Sequence, residues 1–249
     1  MKTNLLLIPF FLISISITAQ KITLSQLKDF QILNYKKNIT LATEYGDSQT
    51  KVQNILSIIS LEGENSSYKD SLAIAYFQNN NFLSAHLTSK ELLIKKPNNV
   101  ILSEINAISL TKLNATKEAI DAYEKLFLLT NKMSDGYQLA FLQYSIKRLS
   151  EAKVSITRAL ECEPMEKAYL QFPVDKNSNQ NVPLKAAAYN LKGLISFELK
   201  EYSEASTFFN ESLKIMPEFA TATQNANAVL ITLQNEKKNN TMPVVPNKN

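Results

Sequence analysis

Between residues 66 and 219, large apolar side chains return every three or four positions, the spacing that gathers them on one side of an α-helix. The stripes come in pairs. Asn79-Asn80-Asn81 and Lys200-Glu201 interrupt them with no apolar residue and predict turns between paired helices. The pairs repeat. Ala85, Ala119, Ala152 and Ala205 stand 34, 33 and 53 residues apart, the last gap being one repeat plus a 19-residue insertion. Twelve residues before each stands a small residue (Ala73, Ala107, Ala140 or Gly193), and eight after each a large one (Leu93, Phe127, Leu160 or Leu213). Twelve residues after three of them comes Pro97, Pro164 or Pro217, with Asn131 in the second unit.

Small residues let two helix backbones approach, and large ones fill the space around them. A proline beyond the second helix stops it, since it has no N–H to donate. At these residues the chain resembles the tetratricopeptide-repeat family, whose pattern W-x2-L-G-x2-Y, A-x3-F and P covers about 34 residues. Unit 186–219 carries it in Tyr189, Gly193, Tyr202, Ala205, Phe209 and Pro217. Unit 66–99 keeps Leu72, Ala73, Tyr76, Phe82, Ala85 and Pro97. Unit 100–133 keeps Ala107, Leu110, Ala119 and Tyr123; unit 134–166 keeps Leu139, Ala140, Leu149, Ala152, Ala159 and Pro164. Lys192 and Asn106 depart from the leucine of the pattern, and Ser89 from its second aromatic. The resemblance implies an all-α fold, a superhelical solenoid of helix-turn-helix repeats.

The flanks suit such an array, whose terminal repeats need capping. Residues 220–234 are expected to form a capping helix; Phe219, Ala222, Ala226, Val229, Leu230 and Leu233 supply its apolar face. Residues 235–249, rich in Asn, Lys and Pro, are expected to form a disordered tail. Residues 20–65 are expected to be helical. There Tyr35 to Asp47 looks like the second helix of a degenerate repeat, and Val52, Ile55, Leu56 and Ile59 give a further stripe. The insertion, 167–185, holds Tyr169, Leu170 and Phe172 at its base and a polar run beyond. Exposed on a loop, three large side chains would be a solubility liability. They are expected to pack on the third and fourth repeats, with Asn177 to Asn181 as an exposed tip.

Residues 1–19 have the form of a secretory signal peptide: Lys2, an apolar run from Leu5 to Ile17, then Ala19 before a polar boundary. Cleavage after Ala19 would leave Gln20 first. The alternative is an uncleaved anchor, but a spanning helix wants about 20 apolar residues, and this run is shorter and contains Pro9. With this leader, no cysteine near its boundary and no second cysteine for a disulfide, the expected location is the Gram-negative periplasm.

Composition narrows the chemistry. Among 249 residues there are 4 glycines, few for the turns and phosphate loops of a barrel or a dinucleotide-binding fold. The formal charge of +4 comes with no basic run, so no nucleic-acid partner is expected. A single histidine and a single cysteine exclude a multi-histidine metal cage and an intrachain disulfide. His86 is read as structural and Cys162 as a core thiol. No phosphate-loop, dinucleotide, zinc-protease or nucleophile-elbow motif occurs. Catalytic residues, cofactors, metals and a small-molecule substrate are therefore not expected.

What remains is the concave groove that the resemblance implies, lined by the first helix of each repeat. Carried over by register, its candidates are Ile74, Phe77, Ile108, Tyr137, Phe141, Tyr144, Leu194 and Phe197. This set suits a protein or peptide with hydrophobic anchors; some of these side chains would instead pack between helices. One subgroup of the family grips a C-terminal carboxylate with Lys and Asn, but Asp70 and Ile74 occupy those positions here, which disfavours such a clamp. The expected function is a non-catalytic exported scaffold that binds a protein or peptide. The alternative is a docking subunit of a cell-envelope assembly or membrane complex.

Overall fold

The computed structural model describes residues 23–162 and 168–241. The expected signal peptide, Pro164 and the last eight residues lie outside them. The chain forms two compact units that divide after Asn65.

In the first unit, α1 (Leu24–Glu44) and α2 (Ser48–Glu62) form an antiparallel hairpin. Thr23 opens α1 with a capping box: Gln26 N donates to its hydroxyl at 3.2 Å, and Thr23 N donates back to Gln26 Oε1 at 2.9 Å. Tyr35–Asp47 is thus not a separate helix but the second half of α1 and the turn after it. Ala42, Ile55 and Ile58 are buried in the hairpin. Leu56 is exposed, because the buried stripe runs through Ile58 instead.

The second unit contains α3 (Tyr68–Gln78), α4 (Phe82–Lys95), α5 (Val100–Lys112), α6 (Thr116–Thr130), α7 (Met133–Ser145) and α8 (Leu149–Glu161). A β-hairpin follows, β1 (Tyr169–Pro173) and β2 (Asn179–Pro183), and then α9 (Leu184–Glu198), α10 (Tyr202–Ile215) and α11 (Ala220–Thr241). Each helix packs on the next. α11 continues through the first seven residues of the segment expected to be a disordered tail.

One turn recurs throughout. Asn80, Asn114, Lys147 and Lys200 are left-handed, with φ between 56° and 64°. The next residue's N–H reaches back across each turn: Asn81 to Tyr76 O, Ala115 to Leu110 O, Arg148 to Gln143 O and Glu201 to Ser196 O, at 2.9–3.0 Å. Gly46, 34 residues before Asn80, makes the same turn between α1 and α2, with φ 69° and Asp47 N donating to Ala42 O at 2.7 Å. The first hairpin therefore keeps the turn of the repeat, while Lys51 stands where the later units have their buried alanine. Asn131, also left-handed at φ 47°, ends α6 where other units use proline.

Ala73, Ala85, Ala107, Ala119, Ala140, Ala152 and Ala205 are all fully buried. The main core runs from α5 to α9 and on to Met216, Phe219 and Ala222 around the start of α11, and it includes Ile120, Leu126, Phe127 and Ile156.

The insertion is an antiparallel hairpin whose register pairs Leu170 with Val182 and Phe172 with Gln180. Side chains alternate across it. Leu170 and Phe172 pack on the main core, Val182 is fully buried, and Phe172 meets Phe219 edge-on with ring centroids 4.9 Å apart. Tyr169 was expected to pack inward, but it falls on the other face of the pleat and is exposed. Gln180 is likewise not part of an exposed tip: its Nε2 donates to Glu218 O at 3.1 Å, and Ala220 N donates to its Oε1 at 3.0 Å. The turn proper is at Asp175, whose Oδ1 accepts from Asn177 N and Ser178 N at 2.8 and 2.9 Å.

Candidate functional site

The groove candidates lie on α3, α5, α7 and α9, the first helices of the four repeats. Phe141 is the most open of them, 46 % exposed, near the middle of α7. Tyr137 lies one turn earlier and is buried; its ring stacks on Phe141 at 6.4 Å with an interplanar angle of 10°. Tyr137 thus supports Phe141 from beneath. Tyr144 is half-buried on the same stripe, and Lys147 Nζ stands 5.5 Å from its ring centroid while bonding Glu198 at 2.8 Å. That pair ties the end of α7 to the end of α9.

The other five are half-buried. Ile108 leans on the main core. Ile74 and Phe77 belong to the core between α3 and α5, where Phe77 meets Phe82 edge-on at 6.0 Å. Leu194 and Phe197 pack against the core of the last repeat, and Phe197 meets Tyr202 edge-on at 5.3 Å. The eight do not form one continuous cluster: the aromatic column of α7 stands between the Ile74–Phe77 and Leu194–Phe197 pairs.

Ile101, 56 % exposed and two turns before Ile108, shares this face and was missed by the sequence reading. Its signal was available, since it lies seven residues before a residue already assigned there. Ion pairs also mark this face. Lys96 bonds Asp70 at 2.6 Å and Lys132 bonds Glu104 at 3.1 Å, each joining a first helix to the turn that follows its own second helix. Asp70, at the position a carboxylate clamp would give to lysine, is thus already engaged by a lysine of this chain.

His86 Nδ1 lies 2.8 Å from Asn106 Oδ1. Cys162 is buried, its Sγ 3.4 Å from Arg158 O and 3.5 Å from Asn131 Oδ1, and burial pushes its thiol up from the ordinary range. Among the described residues no group of three or more His, Cys, Asp or Glu side chains is placed to hold a metal ion. No helix among them is long and apolar enough to cross a membrane.

Residues 186–219 match the family model of the tetratricopeptide repeat. No curated protein sequence matches the chain. Solved structures do. The MamA protein is 14 % identical, covers 87 % of this chain and 98 % of its own, and superposes with a TM-score of 0.59. A tetratricopeptide repeat protein from Parabacteroides merdae is 14 % identical over 84 % of this chain and 75 % of its own, TM-score 0.59. YrrB, described as a TPR protein with an unusual peptide-binding site, is 14 % identical over 82 % of this chain and 97 % of its own, TM-score 0.61. At this level of identity the likeness is one of fold.

Proposed function

We propose, on the premise that this chain is a tetratricopeptide-repeat protein, that it is an exported, non-catalytic scaffold holding a protein or peptide against its first helices. The observation that carries this reading is Phe141, a large ring open to solvent and braced from beneath by Tyr137. A rigid, half-exposed aromatic is the side chain most able to contribute binding energy, because little conformational freedom remains to be lost. Peptide binding is also stated for YrrB, which has the same fold. The signal-like segment at residues 1–19 supports export, and the compartment it points to is the periplasm.

A second reading, docking onto a cell-envelope assembly or membrane complex, is favoured by the exposed Leu83, Leu87 and Ile94 along α4. Such an outer apolar surface suits a large partner better than a short peptide.

The test is a photo-crosslinking residue placed at 141 and, as control, at 154 on α8, in the host cell. A defined product from 141 and none from 154 is the expected result. Equal products from both, or none from 141, would defeat the groove reading. Intact mass of the same protein should begin at Gln20; a chain retaining Met1 would defeat cleavage after Ala19.

A further inference from the structure

A cleft of about 420 Å³ lies between α4 and α6. Its floor is Ser103, Asn106 and Leu110 of α5; Leu93 of α4 and Ala122 of α6 form apolar walls. These floor residues lie on the opposite side of α5 from Ile101, Glu104 and Ile108, so cleft and groove occupy different faces.

The repeat register shows why it is open. At the next boundary, Gly136 stands for Ser103, Leu139 for Asn106 and Phe127 for Leu93. There the Phe127 ring is buried so close that a Cβ on Gly136 would lie 2.6 Å from it, and the Arg158 guanidinium covers the ring at 4.8 Å. At the last boundary Tyr189 stands for Ser103, and Lys192, in Asn106's place, lies 4.4 Å from the Phe208 centroid. At the boundary of the cleft neither Leu93 nor Ser103 supplies a ring, and the cleft is the space that Phe127 closes at the next one.

Its rim is polar and ordered by sign. Glu118 and Asp121 stand toward the N-terminal end of α6, while Lys90 and Lys125 stand about a turn further along α4 and α6. None of these four forms an ion pair within 4.0 Å among the described residues. By contrast Lys69, Lys96 and Lys132 are each paired with a carboxylate. His86 lines the cleft with Nδ1 engaged by Asn106, leaving Nε2 without a partner among the described residues.

We infer that this cleft is a second binding site, which takes one tyrosine or tryptophan side chain from a partner polypeptide. The ring fills the space closed at the next boundary by Phe127, and its O–H or N–H donates to His86 Nε2. The residues flanking that ring are one basic and one acidic, meeting the acidic and basic ends of the rim.

The chain contains no tryptophan, so the emission of a tryptophan peptide reports on its own surroundings. The probe is acetyl-Lys-Trp-Glu-amide titrated with the full chain; acetyl-Ala-Trp-Ala-amide is the control. A saturable blue shift is expected, with the control bound roughly tenfold more weakly. Filling the cleft with the pair Ser103→Tyr and Asn106→Leu should abolish the shift, while Phe141→Ala in the groove should leave it intact. Should the filled variant not fold, Glu118→Ala with Asp121→Ala, both on the surface, decides through a roughly tenfold loss. Absence of a saturable shift, its survival in the filled variant, or no loss in the acidic pair would overturn the inference. So would loss in Phe141→Ala alone, which would place the peptide in the groove and favour the function proposed above.

Discussion

Gly193 on α9 faces the ring of Phe209 on α10 so closely that a Cβ at 193 would lie 2.6 Å from two ring carbons. Both are buried, and between them they set the distance between the two helices of the last repeat. Neither helix can retreat without opening the packing around Ala205 and Val229.

Gly193→Ala should therefore destabilise the protein by about 1–3 kcal/mol, through overpacking rather than through any backbone preference. Combining it with Phe209→Leu, which shortens the opposing side chain, should recover part of that loss. A double-mutant cycle by urea unfolding measures the coupling. Strict additivity of the two changes would show that the contact is not what limits the approach.

The left-handed turns give a change of opposite sign. Lys200 has φ 64°, where a Cβ costs about 1–2 kcal/mol. Lys200→Gly should raise stability by about 0.5–1 kcal/mol after the extra unfolded-state freedom of glycine is allowed for. At Lys147, with φ 62°, Lys147→Ala keeps the Cβ strain and loses the exposed pair with Glu198 and the approach of its ammonium to the Tyr144 ring, so it should gain no stability. Thermal unfolding of the two variants should move in opposite directions or leave Lys147→Ala unmoved.

The repeat phase was legible because it rests on size at fixed spacing: Ala119, Ala152 and Gly193 are tolerable positions for nothing larger. The groove was legible only in part. Register places Tyr137 and Phe141 on one face, yet it does not say that one ring shields the other, because that depends on how α7 tilts against its neighbours. The hairpin escaped notice since its alternation is short and mixed; Gln180 occupies an inward position normally apolar and is satisfied there by the backbone of Glu218 and Ala220. The far end of α11 escaped because Asn, Lys and Glu predict solvation but do not by themselves end a helix. The cleft left its trace as Asn106, a polar residue where the repeat pattern has leucine.

Two tyrosines link stability to alkaline pH. Burial, and after it the charge of Asp135, push Tyr123 up to about 12, and burial pushes Tyr137 to about 12. In the unfolded chain both ionise near the ordinary value of 10. As pH rises from about 10 towards 12, the unfolded state loses protons that the folded state retains, so stability falls across that window and is unaffected by these groups below it. Near-ultraviolet phenolate absorbance should show at least two of the 10 tyrosines ionising well above the ordinary range, or together with unfolding. Tyr137→Phe should remove one of them. Titration of all ten before any loss of helix would contradict the burial described.

The hairpin tests whether a repeat array can be tightened by what is inserted into it. Phe172 sits edge-on to Phe219, just before α11, and Gln180 holds Glu218 and Ala220 by two hydrogen bonds. The insertion therefore connects the boundary between the third and fourth repeats to the start of the capping helix. Phe172→Ala should cost about 2–3 kcal/mol, below the full value for a core phenylalanine because the ring is only half-buried. Tyr169→Ala, on the outer face of the same strand, should cost less than about 0.5 kcal/mol. Gln180→Ala leaves Ala220 N without its acceptor at the N-terminus of α11, comparable to the loss of a helix cap at about 1 kcal/mol. Hydrogen exchange then separates a local from a global role. If the hairpin anchors α11, amides from Thr223 to Val229 should exchange faster in Gln180→Ala while those of α7 and α8 keep their protection. Equal costs for Phe172→Ala and Tyr169→Ala, with exchange in α11 unchanged, would show the hairpin to be an ordered but passive connection.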